Sequence, residues 1–202
     1  MVKTVIFDIG NVLVNFHWRE MYREKGLTGE IFDRVAKATV LNPIWCEIDR
    51  GNMPYEEILE AFVNTDREME AWIHKALDNT HGIVTKRDYA IPWISRLKEQ
   101  GLQVLVLSNF GEKIIEDCPD AMDFLPYTDG GILSYKDHVI KPSPEIYELL
   151  LRRYELVPEE CVFIDDLQEN VDAAKAHGIQ GIVFKSYEQA VSELNGLIDL
   201  LG

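Results

Sequence analysis

The chain has 202 residues, 47% of them hydrophobic and 27% charged, a balance that excludes disordered and fibrous classes. Its formal charge of −15 opposes a nucleic-acid or anionic-membrane surface, and no apolar run approaches the roughly 20 residues of a membrane span. A small anionic ligand, which needs only a local positive site, stays open.

The first predicted element is a strand over residues 3–7, a β-branched and aromatic run that stops at Asp8-Ile9-Gly10-Asn11. The N-terminal apolar run is too short for a signal peptide. Cys46, Cys118 and Cys161 are odd in number and scattered, so they read as reduced, buried thiols of a cytoplasmic protein. Residues 15–88 show no convincing strand and several amphipathic helices. Thr28 is positioned to cap one that buries Ile31, Phe32 and Val35; Tyr55, Ile58, Leu59 and Phe62 repeat at helical spacing; Asp66 is positioned to cap a third. Segment 45–51, Trp-Cys-Glu-Ile-Asp-Arg-Gly, is the polar stretch best suited to a specificity loop, whereas the tryptophans read as packing residues.

Buried strands follow over 103–107, 161–164 and 181–184, with a weaker one at 131–133. Ser143-Pro144-Glu145 opens a helix, and another over 169–177 ends at Gly178. Strands alternating with helices predict an α/β fold: a Rossmann-like, three-layer α/β/α core with a parallel sheet, interrupted by an α-helical insertion. Residues 1–14 and 89–202 form the expected core and 15–88 the expected helical cap. A monomer is the default assembly.

Parallel sheets place ligands beyond the carboxyl ends of their strands. Asp8, Ser108-Asn109 and Asp165-Asp166 each follow such a strand, and Lys141 precedes the helix opened by Ser143. Carboxylates gathered in one cleft repel unless a cation neutralises them, and an all-oxygen set suits Mg²⁺. The hydroxyl, amide and ammonium fit phosphoryl oxygens, and an aspartate there can act as nucleophile.

In order, Phe7-Asp8-Ile9-Gly10-Asn11-Val12-Leu13, Ser108-Asn109, Lys141-Pro142 and Phe163-Ile164-Asp165-Asp166 resemble the motifs of the haloacid dehalogenase superfamily. Val157-Pro158 and the Asn170-to-Gly178 stretch strengthen that resemblance, which spans nearly the whole chain. It implies Asp8 as nucleophile and metal ligand, the Gly10 carbonyl and Asp166 as further Mg²⁺ ligands, and Ser108 with Asn109 as phosphate binders. It also implies Lys141 as the cation joining nucleophile and phosphate, Asp165 as either supporting Asp166 at the metal or orienting Lys141, and Asn170 where some members carry another acid.

Position 10 departs from the pattern. Most phosphatases of that family carry an aspartate there to protonate the leaving oxygen and activate water, and glycine does neither. The Asp-Ile-Gly-Asn-Val form resembles a bacterial subgroup similar to glucose-1-phosphate phosphatases, with the cap type of the phosphatase domain of soluble epoxide hydrolases. A less basic leaving group, such as the anomeric oxygen of a sugar 1-phosphate, is one answer to the gap. A proton donor from the cap is another, with His17 as candidate. The expected activity is Mg²⁺-dependent hydrolysis of a small phosphate ester. A haloacid dehalogenase, a phosphomutase and a phosphate-sensing module without turnover are the rivals, and the paired Asp165-Asp166 argues against carbon–halogen chemistry.

Overall fold

A computed structural model describes residues 1–199. In chain order the elements are β1 (Thr4–Phe7), β2 (Val14–Phe16), α1 (Trp18–Glu24), α2 (Gly29–Ala38), α3 (Trp45–Arg50), α4 (Tyr55–Thr65), α5 (Glu70–Leu77) and β3 (Val84–Lys86). Then come α6 (Ala90–Glu99), β4 (Gln103–Ser108), α7 (Glu112–Asp117), β5 (Gly131–Leu133), α8 (Ser134–Asp137) and α9 (Pro144–Arg153). The chain closes with β6 (Cys161–Asp165), α10 (Gln168–Ala176), β7 (Gln180–Val183) and α11 (Tyr187–Asp199).

Five strands form one parallel sheet in the order β5-β4-β1-β6-β7. The continuous apolar runs become these strands because both faces are covered. Val5 and Phe7 point into one buried cluster, with Phe7 edge-on to Trp93 at 4.7 Å between ring centres. Ile6 points the other way, into a cluster with Leu105, Phe163 and Tyr147. From β1 the chain proceeds toward β4, and from β6 toward β7. The crevice at the carboxyl ends of β1 and β6 is therefore the topological switch point.

Two expectations for residues 15–88 are corrected. The segment is not free of strands: β2 and β3 pair antiparallel, with Asn15 opposite Thr85. Each is three residues long, too short to show a period in sequence. Segment 45–51 is not a loop, since its first six residues form α3 and Gly51 ends that helix in the left-handed conformation. Thr28 and Ser143 stand at N-caps without a side-chain capping bond; Asp66 instead forms an ion pair with Arg34 at 2.7 Å. One face of the sheet is covered by α6 and α11 and the other by α9 and α10, whereas α2, α4 and α5 pack on one another and only merge into the buried cluster of Val5 and Phe7. Among the described residues no helix is long and apolar enough to cross a membrane.

Candidate active site

Asp8 leaves β1 with its N–H still bonded to the Ile164 carbonyl at 2.9 Å, so the sheet itself fixes its backbone. One carboxylate oxygen, Oδ1, accepts from Ser108 Oγ at 2.6 Å and pairs with Lys141 Nζ at 2.8 Å. The other, Oδ2, has no hydrogen-bond partner among the described residues. Burial pushes the Asp8 carboxyl up to about 6; Lys141 opposes the rise, Asp165 adds to it and the Ser108 hydroxyl opposes it.

Lys141, only 4% exposed, lies between Asp8 and Asp165, whose Oδ2 it reaches at 2.6 Å. Burial alone would lower the ammonium's pKa, but the two carboxylates outweigh it and hold the pKa above the ordinary lysine value. Its backbone is clamped by one side chain: Asn109 Oδ1 accepts from Lys141 N–H at 2.7 Å, and Asn109 Nδ2 donates to Lys141 C=O at 2.9 Å. Asn109 thereby positions the lysine, which its sequence position did not reveal.

Asp165, fully buried, is satisfied on both oxygens. Besides Lys141 it accepts from Leu167 N–H at 2.8 Å and from Asn170 Nδ2 at 3.1 Å. Asp166 follows it and faces the crevice, where its Oδ2 accepts from Asn11 Nδ2 at 3.0 Å. Burial raises its pKa, Asn11 opposes the rise and Asp165 adds to it. Asn11 adopts a left-handed φ of 55°, which asparagine tolerates, and its Oδ1 accepts from Phe16 N–H at 3.3 Å. That tolerance is a signal for the turn that the sequence itself carries.

Oxygens of Asp8, Asp165 and Asp166 lie within 4.8 Å of one another. The donor set is all carboxylate, and burial disfavours the anions of Asp8 and Asp166, so the residues fit a hard cation such as Mg²⁺. Gly10 lies in the same cleft, and a Cβ built on it would meet nothing within 4 Å. The glycine is thus not imposed by packing.

The cleft encloses about 260 Å³. It is lined by Asp8, Gly10, Asn11, Asn109, Lys141 and Asp166, together with Phe16, Trp45, Asp49 and Val84 from residues 15–88. Trp45 is therefore a cleft residue, whereas Trp18 and Trp93 are buried packing residues. His17 is not among the lining residues: it sits at the β2–β3 ribbon with Nδ1 3.5 Å from Thr85 Oγ1. Asp49 also lines the cleft, from the segment 45–51 whose polar character marks it for specificity in the sequence but gives no sign of which residue enters the site.

Residues 2–178 match the family described as haloacid dehalogenase-like hydrolase. The chain belongs to that family. It is 27% identical over 214 residues to acyl-CoA dehydrogenase family member 10 of Mus musculus, matching 97% of this chain but only 19% of that protein. It is 24% identical to the sesquiterpene phosphatase astK of Aspergillus oryzae over 97% of this chain and 96% of the relative. It is also 24% identical to D-ribitol-5-phosphate phosphatase of Bacteroides thetaiotaomicron, over 89% and 90% of the two chains. A crystal structure of a haloacid dehalogenase family enzyme from Bacteroides thetaiotaomicron, with magnesium and inorganic phosphate, shares the fold. Its TM-score is 0.72 at 22% identity, covering 93% of this hydrolase and 96% of that chain.

Proposed function

We propose that this hydrolase is a Mg²⁺-dependent phosphatase acting on a small phosphomonoester, a sugar phosphate such as a sugar 1-phosphate, through an aspartyl-phosphate on Asp8. The supporting observation is the asymmetry of Asp8: Ser108 and Lys141 hold Oδ1, Oδ2 has no partner among the described residues, and the carboxylate clusters with those of Asp165 and Asp166. Asp8, the Gly10 carbonyl and Asp166 would hold Mg²⁺. When bound, the ion neutralises the carboxylates and the phosphoryl charge. Residues 1–14 and 89–202 supply this machinery, and 15–88 cover it as the cap.

Oδ2 of Asp8 attacks phosphorus as the bond to the leaving oxygen breaks, and that oxygen takes a proton. Water then attacks phosphorus, the bond to Asp8 breaks, and inorganic phosphate leaves. Lys141 holds the nucleophile against Asp165 and brings positive charge to the phosphoryl oxygens. Ser108 orients Asp8, and Asn109 fixes the lysine's backbone. An anomeric leaving oxygen is less basic than an ordinary alcohol and so demands less from a proton donor.

The cleft also favours a second substrate reading. Phe16, Trp45, Val84, Phe110, Ile114 and Leu167 give it a largely apolar wall. Such a wall suits the carbon face of a sugar ring, and equally a compact apolar alcohol; a relative already bears the name sesquiterpene phosphatase.

The test measures phosphate release from a panel of esters with Mg²⁺ and with EDTA, for the native protein and Asp8→Asn. Metal-dependent release that the variant lacks supports the mechanism. No release from any ester, with inorganic phosphate still bound, favours a sensor, and metal-independent halide release favours a dehalogenase. Faster turnover of sugar 6-phosphates than of 1-phosphates refutes the anomeric preference.

A further inference from the structure

We propose that Asp49 of α3 is the acid that protonates the leaving oxygen and the base that activates water, the role glycine at position 10 leaves open. The inference rests on the phosphatase reading above.

Of the cleft-lining residues, the titratable ones are Asp8, Asp49, Lys141 and Asp166. Asp8 is the nucleophile. Lys141 is held as a cation between two carboxylates and has no free lone pair. Asp166 is oriented by Asn11 and belongs to the cation site. Asp49 remains, and its carboxylate makes no hydrogen bond or ion pair with any described residue. Burial pushes its carboxyl up to about 7, with the Asp8 charge adding and Lys141 opposing. A group near that value is available as both acid and base at neutral pH.

α3 is also built to hold this residue still. The Asp49 carbonyl accepts from Ser134 Oγ at 2.5 Å, and Ser134 Oγ itself accepts from the Phe110 N–H at 2.9 Å, one residue past Asn109. The next carbonyl, of Arg50, contacts His138 Nδ1 at 3.0 Å. A Cβ on Gly111 would lie 2.4 Å from Ile48 Cγ2, so only glycine lets α3 seat this closely on the turn before α7. The cap acid is thereby tied to the loop that carries the phosphate-site residues.

The proton ledger closes. In the first half-reaction the Asp49 carboxyl gives its proton to the leaving oxygen as the P–O bond breaks. In the second, the resulting carboxylate takes a proton from the water attacking phosphorus, and Asp49 is restored as Asp8 is released.

The test compares kcat/KM of the native protein and Asp49→Asn on two esters, p-nitrophenyl phosphate and the best alkyl or sugar phosphate of the panel, with inhibition by inorganic phosphate as a binding control. The expected loss is about 10²–10⁴-fold on the alkyl or sugar ester and far smaller on p-nitrophenyl phosphate, whose leaving group needs no proton, with phosphate inhibition unchanged. Equal losses on both esters, or an unchanged rate on the alkyl ester, overturn the inference. A native protein without metal-dependent phosphatase activity overturns the underlying phosphatase reading as well; an active one indifferent to Asp49→Asn overturns this inference alone.

Discussion

Lys141 shows how much of the site is held by one buried charge. Its ammonium separates Asp8 from Asp165, so Lys141→Met leaves two carboxylates in a pocket that was built around a cation. The expected cost is about 3–5 kcal/mol in urea unfolding at neutral pH, together with loss of turnover. Gly10 is the opposite case. Its surroundings are open and its φ is not left-handed, so Gly10→Ala keeps the carbonyl and reduces the freedom of the unfolded chain. That variant should match or exceed native stability by up to about 1 kcal/mol and keep its phosphatase activity. Either a marked loss of stability or lost metal dependence would show that the missing side chain matters for a reason other than space.

At the scale of elements, the docking of α3 onto the turn before α7 sets where Asp49 sits. Gly111→Ala drives a methyl group into Ile48, so it should cost about 1–3 kcal/mol and lower kcat more than it raises KM. A second tie lies at the other end of α7. There Asp117 accepts from the Thr80 N–H and hydroxyl at 2.6 and 2.8 Å and pairs with Lys113 at 2.7 Å. Burial alone would raise its pKa, but the lysine and threonine together hold it below the ordinary 3.8. A carboxyl with a depressed folded pKa stabilises fully above its unfolded value and loses that contribution as pH falls through the folded one. Asp117→Asn should therefore melt earlier than the native protein at pH 7, by about 1.5–3 kcal/mol, and the gap should close in acid.

The sheet and its chemistry were legible for one physical reason. A run covered on both faces must be apolar, so a polar residue directly after it stands out, as Asp8 does after the run ending at Phe7 and Asp165-Asp166 after the run 161–164. Asp49 had no such frame. It is one of 35 acidic residues, it lies on a six-residue helix, and its importance comes from what the fold sets opposite it. The β2–β3 ribbon escaped notice because three residues show no alternation. His17 drew attention by proximity in sequence, which the ribbon turns into distance from the cleft lining.

For the whole molecule, the charge of −15 acquires structure once Asp8, Asp165 and Asp166 are seen to converge. A cation bound there favours the folded state alone, so Mg²⁺ at a hundred times its Kd should add about 2.7 kcal/mol. Thermal melts with Mg²⁺ and with EDTA should differ for the native protein and coincide for Asp166→Asn. A shift that survives in the variant would place the ion elsewhere. Replacing residues 15–88 with a foreign insert tests a different property. The sheet's faces are covered by α6 and α11 and by α9 and α10, while Trp18 and Tyr22 pack on Phe32, and Phe62 on Trp45, within residues 15–88 themselves. Those residues meet the rest of the chain through the β2–β3 ribbon and through α3, which docks on α7 and α8. Chimeras that change substrate choice while keeping the fold will have to match the α3 seat at Gly111 and Ser134, and can leave the sheet residues as they are.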